Sequence, residues 1–178
     1  MTDEQIVVVP FDPEWSLRFE AERSVLERVL APWFKDGIHH VGSTAVPGLG
    51  AKPIIDIVAG VRDLDQARAS FESLREASYV YSPHRPGIAH HFVKRPRLPE
   101  LTCGLHLTEP GSDLWRERLA FRDALRQDAE LAVDYEALKQ RLAQSTRTTR
   151  RRIRQASEHS SRAFWQVWGR LSAADNVR

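Results

Sequence analysis

Trp15, Phe19, Leu26, Val29, Leu30 and Trp33 recur at helical spacing. Asp12 and Pro13 stand ahead of them as an N-cap and a first helical residue, so a helix is predicted from there to about residue 34. The apolar run at residues 6–9 predicts an edge strand stopped by Pro10, and Asp36-Gly37 predicts a break after the helix. A brief strand is expected over 38–41. A shaped loop with Gly42, Pro47, Gly48 and Gly50 follows, and then an almost continuously apolar strand over 53–61. Leu64, Ala67, Phe71 and Leu74 predict a helix over 64–77. Strands are expected at 79–81, 88–94 and 102–108, with a turn at 82–87 and a hairpin loop at 95–101. Three helices complete the pattern: one capped at Pro110-Gly-Ser112 and running to Gln127, one over about 129–144, and one over about 148–171. The order implies an α+β fold with a small mixed sheet flanked by helices and followed by C-terminal helices.

Composition narrows the class without naming a function. With 178 residues, 42% hydrophobic and 28% charged, the chain reads as one globular domain over 1–178, not a disordered chain. Its mixed α/β core is expected over 1–110 and its helical part over 111–178. No run approaches the ~20 apolar residues of a membrane span. The acidic start Met1-Thr-Asp-Glu4 lacks the basic region of a secretory leader, so the expectation is a cytoplasmic protein. The single cysteine, Cys103, excludes an intramolecular disulfide and a multi-cysteine zinc site. Two histidine pairs, His39-His40 and His90-His91, do not have the spacing of a closed zinc site either.

Charge is unevenly spread. Residues 1–140 carry a net −5, and residues 141–178 carry +7, every base there being arginine. Five arginines fall between Arg147 and Arg154. That segment is where an anionic partner such as tRNA would be drawn, the plainer alternative being a solvated helical face. An apolar strip at Phe164, Trp165, Val167 and Trp168 suits packing on the core or a homodimer contact, which leaves monomer and homodimer both open.

Candidate chemistry concentrates between His39 and Val61. Gly42-Ser43-Thr44 follows a short strand, and a glycine next to hydroxyl residues lets backbone and side-chain donors approach a phosphate. Asp56 is the one acid in an apolar strand. A carboxylate there is costly unless it is paired, hydrogen-bonded or bound to a cation such as magnesium, so it is either a metal ligand or a buried acid held by loop amides. Lys52, four residues earlier, suits a phosphate or a carboxylate partner. His106 alternates with Leu105 and Leu107 and so faces away from them, as a ligand, a base or a satisfied buried histidine.

The stretch His39-His-Val-Gly-Ser-Thr-Ala-Val-Pro-Gly-Leu-Gly-Ala-Lys-Pro-Ile-Ile-Asp-Ile57 resembles the signature of the GrpB family. So do Leu105-His-Leu107, Trp115, Leu119-Ala-Phe-Arg-Asp123, Tyr135 and Leu138-Lys139, and the resemblance runs over roughly residues 5–145. It implies a nucleotidyltransferase-like fold in which a Gly-Ser turn precedes a strand bearing catalytic acids. It also marks His40, Gly42, Ser43, Thr44, Lys52, Arg122, Asp123 and Lys139 as candidate ligand residues, with Asp56 and His106 as candidate catalytic residues and Asp56 as the metal ligand. The superfamily's second acid would stand at position 58, where this chain has Val58. That departure argues against two-metal chemistry unless His106, Glu109 or Asp123 substitutes. Gly104 stands where the family often has a histidine, and Ser160 to Trp165 depart from its final-helix pattern.

The resemblance implies a nucleotidyltransferase-like enzyme acting on a nucleotide or other phosphate-bearing ligand, assisted by magnesium. The alternatives are an aminoacyl-tRNA-dependent acyl transferase and a non-catalytic nucleotide-binding module.

Overall fold

The structure is a computed structural model, described here for residues 8–83, 87–94 and 101–145. Helix α1 spans Glu14–Leu30 with Pro13 at its N-cap, one residue after the predicted Asp12, whose Oδ1 still accepts from the Glu14 amide at 2.9 Å. Strands β1 (Phe34–Val41) and β2 (Ile55–Val61) follow, separated by a loop with a 3-10 turn at Ser43–Ala45. A 3-10 turn (Gln66–Ser70) and α2 (Phe71–Glu76) lead to β3 (Tyr79–Tyr81), β4 (His90–Lys94) and β5 (Cys103–Thr108). The described chain closes with α3 (Asp113–Gln127) and α4 (Ala129–Ser145). Ser112 caps α3, its hydroxyl accepting from the Trp115 amide at 3.3 Å.

The sheet order is β1-β2-β5-β4-β3, with β2 and β5 parallel and every other pair antiparallel. One face is covered by α1 and α2, where Trp15, Leu26, Leu30, Ile57, Leu74, Phe92 and Leu105 are fully buried. The other face meets α3 through Val41, Val58, Trp115 and Leu119. Helix α4 packs on α3 and on the loop after β1, joining Val46 and Leu49 to Phe121, Leu125 and Leu131.

Three expectations are corrected. The break foreseen at Asp36-Gly37 is a bulge inside β1, with register shifts on both sides of Asp36, because Gly37 at φ 43° lets the strand kink without ending. The helix foreseen over 64–77 is a 3-10 turn joined to a short α-helix. Of the edge strand foreseen at 6–9, residues 6 and 7 lie outside the described residues, and Val9 makes a single antiparallel bridge to Ala51. The helix expected over 148–171, the arginine run and the aromatic strip also lie outside the described residues. Among the described residues no helix is long and apolar enough to cross a membrane.

Candidate functional site

Alternation along the strands decides which candidates share a face. Asp56 pairs with Val41 on β1 and Gly104 on β5, so the carboxylate stands on the α3 side of the sheet, at the end of β1 where the chain turns away. The turn begins at Gly42, whose φ of 74° is a conformation that side-chain-bearing residues rarely adopt. Space makes the same demand. A β-carbon on Gly42 would stand 2.7 Å from Asp56 Oδ2, and one on Gly104 would stand 2.9 Å from Asp56 Oδ1. The carboxylate is thus laid between the turn that follows β1 and the neighbouring strand β5, both of which lack a side chain there.

Burial pushes the Asp56 carboxyl up to about 6, against the pull of two cationic neighbours, Arg118 on α3 and Lys52 on the loop. Ser43, the next residue after Gly42, shares a side-chain hydrogen bond with Tyr135 of α4. Burial raises the Tyr135 phenol, and Arg118 and Asp56 are both within electrostatic reach of it. One carboxylate, two cations and two hydroxyls, drawn from β2, α3, α4 and the loop, therefore lie within electrostatic or hydrogen-bonding reach of one another where the Gly-Ser turn, the Asp56 strand and α3 meet.

The histidines divide by face. His106 pairs with Val58 on one side and His91 on the other, so both rings lie on the Asp56 face, with centroids 4.6 Å apart. The His91 Nδ1 hydrogen faces the Ser82 carbonyl at 3.3 Å. Its Nε2 leans over Gly104, 3.8 Å from where a β-carbon would be. His40 is one residue out of phase and points into the α1 layer. There it stacks on Phe19 at 4.8 Å and donates from Nε2 to Thr44 Oγ1 at 3.0 Å, while the Thr44 hydroxyl donates to the Ile54 carbonyl. Burial, with Arg126 and Arg122 nearby, lowers His40 to about 4, so it is a neutral brace beneath the loop. His40 and Thr44 hold the Gly-Ser turn from behind and do not enter the cleft.

Other candidates also act on the loop's frame. Arg122 pairs with Asp123 at 2.7 Å and donates to the His40 carbonyl at 3.2 Å. Lys139 donates to the Gly50 carbonyl, lies 4.9 Å above the Tyr135 ring, and is lowered to about 8 by burial. Glu109, a candidate second acid, is exposed and accepts from the Leu64 amide at 3.3 Å. Val58 is fully buried against Val41 and Trp115, so the position of the missing acid is core and not cleft.

The donor set does not fit a resident magnesium ion. One carboxylate stands beside an arginine and a lysine, and among the described residues no three His, Cys, Asp or Glu side chains are grouped to hold a metal. Sequence reasoning missed Arg118. Its helical register was the available signal, since Arg118, Arg122 and Arg126 recur every four residues on α3. Arg126 donates to the Ala45 carbonyl at 2.9 Å, so all three lie along the loop side of the helix.

A family model described as GrpB protein matches residues 5–163. The chain belongs to the GrpB family. A relative named glutamate-rich protein GrpB, from Alkalihalophilus pseudofirmus, is 38% identical over 145 residues, covering 79% of this chain and 82% of its own length. A protein named UPF0157 from Deinococcus radiodurans is 34% identical over 145 residues, covering 82% of this chain and 73% of that one. Among solved structures, GrpB from Enterococcus faecalis matches with a TM-score of 0.73 at 26% identity, covering 89% of this chain and 99% of that one. The Cid1 poly(U) polymerase bound to MgATP matches with a TM-score of 0.52 at 13% identity, over 77% of this chain and 44% of that one. The GLD-2/RNP-8 complex matches at 0.54 and 14%, over 74% and 54%. At those identities the likeness is one of fold: this GrpB chain has the α+β, nucleotidyltransferase-like architecture.

Proposed function

We propose that this GrpB protein binds a nucleotide or another phosphate-bearing ligand in the cleft between the Gly42-Ser43 turn, the Asp56 strand and helix α3. The observation that carries the reading is the convergence of Arg118 and Lys52 on Asp56, beside the hydrogen-bonded Ser43 and Tyr135 side chains. Cations and hydroxyl donors around a tight glycine turn suit phosphate oxygens. The buried Val58 favours a binding cleft over two-metal nucleotidyl transfer, which needs carboxylates to clamp two cations.

Nucleotidyl transfer to a small acceptor is the second reading, favoured by the fold shared with a polymerase bound to MgATP; any magnesium would then arrive on the nucleotide and not be held by the protein beforehand. An aminoacyl-tRNA-dependent reaction would engage the arginines from Arg147 to Arg154, outside the described residues.

The test is a thermal-unfolding screen of the full chain against nucleoside mono-, di- and triphosphates, pyrophosphate and tRNA, each with and without magnesium. A ligand at a hundred times its Kd adds about 2.7 kcal/mol, a rise of roughly 5–10 °C for a domain of this size. A phosphate compound giving such a shift supports the reading. No shift from any of them at millimolar concentration overturns it. Release of pyrophosphate from a triphosphate would favour transfer over binding alone.

A further inference from the structure

Arg118 is the odd member of its stripe. Arg122 and Arg126 each donate to a backbone carbonyl of the β1 end or its loop, whereas the Arg118 Nε is buried with no hydrogen-bond partner. Buried donors without acceptors are rare in folded proteins and call for an explanation. Among the described residues two other buried nitrogens share this state, Trp15 Nε1 and His90 Nδ1, and both belong to side chains in the α1–α2 layer. Of the three, only Arg118 stands on α3, within electrostatic reach of both Asp56 and Tyr135. Asp56 is within its electrostatic reach, yet among the described residues no ion pair closes between them. The guanidinium thus lies within electrostatic reach of the carboxylate with its Nε–H unanswered.

We propose that Arg118 is the phosphate-recognition residue of this cleft and that it serves in place of a divalent cation. The ligand group is an unchelated phosphate or pyrophosphate. This inference rests on the proposed phosphate-binding function. A guanidinium presents a planar fork of donors that matches two phosphate oxygens, and a third oxygen can take one hydrogen bond from the Ser43–Tyr135 hydroxyl pair. Lys52 adds a second positive charge, so the cleft outweighs its one carboxylate and attracts an anion. A magnesium ion entering with the ligand would meet the same two cations and find a single carboxylate. Asp56 then acts as the counter-charge to the two cations before an anion binds.

The experiment is calorimetric titration of the full chain with pyrophosphate and, separately, ATP, each in EDTA and in excess magnesium. Pyrophosphate is expected to bind in EDTA, with magnesium leaving its affinity unchanged or weaker. Arg118→Gln should weaken it about tenfold or more. Arg118→Lys, which keeps the charge but loses the fork, should fall between. Arg116→Gln, at an exposed pair with Asp113, should match wild type. Binding of ATP but not pyrophosphate in EDTA would assign the affinity to the nucleoside and overturn the inference. So would binding that appears only with magnesium, or Arg118 variants that unfold like wild type and bind like it. If Arg118→Gln does not fold, the lysine variant and the magnesium comparison decide. Failure of every phosphate compound in every condition would instead remove the function on which the inference rests.

Discussion

Asp56 Oδ1 lies 2.9 Å from the point where a β-carbon on Gly104 would stand, so the parallel partner strand is stripped of its side chain where the carboxylate needs room. Gly104→Ala should therefore force the carboxylate aside at a cost of about 1–3 kcal/mol, the usual range for overpacking. Urea unfolding of a double-mutant cycle with Asp56→Ala checks it. In the Asp56→Ala background the alanine at 104 should cost almost nothing. Equal costs in both backgrounds would mean that the carboxylate does not rest on Gly104.

Asp56 and His40 should drive the pH dependence of stability in opposite directions. Asp56 is raised from 3.8 to about 6, so the fold favours its neutral form. Its contribution is full below pH 3.8 and is lost as pH rises through 6. Asp56→Asn should stabilise the protein at pH 7 by on the order of 2 kcal/mol, with the gain fading towards pH 4. His40 is lowered from 6.5 to about 4, so its contribution is full above pH 6.5 and is lost as pH falls towards 4, by ~3 kcal/mol. His40→Gln should remove that acid loss. Urea midpoints from pH 4 to 7.5 for the three proteins give the comparison, and parallel profiles would contradict both assignments.

Val58→Asp should destabilise by about 3–5 kcal/mol, because the new carboxylate would be buried against Trp115 and Val41 without a partner. It should not create a magnesium site. Chemical unfolding with and without excess magnesium reads both effects. A variant as stable as wild type that gains stability with magnesium would show position 58 open to the cleft.

The α+β order, the capped starts of α1 and α3, and the apolar strand bearing Asp56 were legible because each rests on a local signal: periodicity, a capping side chain, a lone acid among aliphatics. The Gly-Ser turn and Asp56 do converge. What could not be read locally was the face on which each candidate stands. His40 and His39 are adjacent in the chain, yet one braces the loop from the α1 layer and the other packs at 5.0 Å on Trp115. Arg118 and Tyr135 reach the cleft only because α3 and α4 fold back over the loop, a tertiary fact with no short-range trace. Arg122 and Lys139 carried the family pattern, and in this structure each donates to a backbone carbonyl, Arg122 pairing with Asp123 and Lys139 lying over the Tyr135 ring as well.

The strand that completes the setting of Asp56 is its neighbour in space but not in the chain. Between β2 and β5 come a 3-10 turn, α2, β3 and β4, and β5 enters parallel to β2 only after that excursion. Parallel pairing across such a sequence separation forms slowly, because loop closure must be met before the new contacts repay it. A chain still emerging from the ribosome would have Asp56 and the Gly-Ser turn in hand while Gly104, Arg118 and Tyr135 were yet to arrive. Ligand competence thus belongs to the finished sheet and cannot precede it, which ties recognition to completion of the fold.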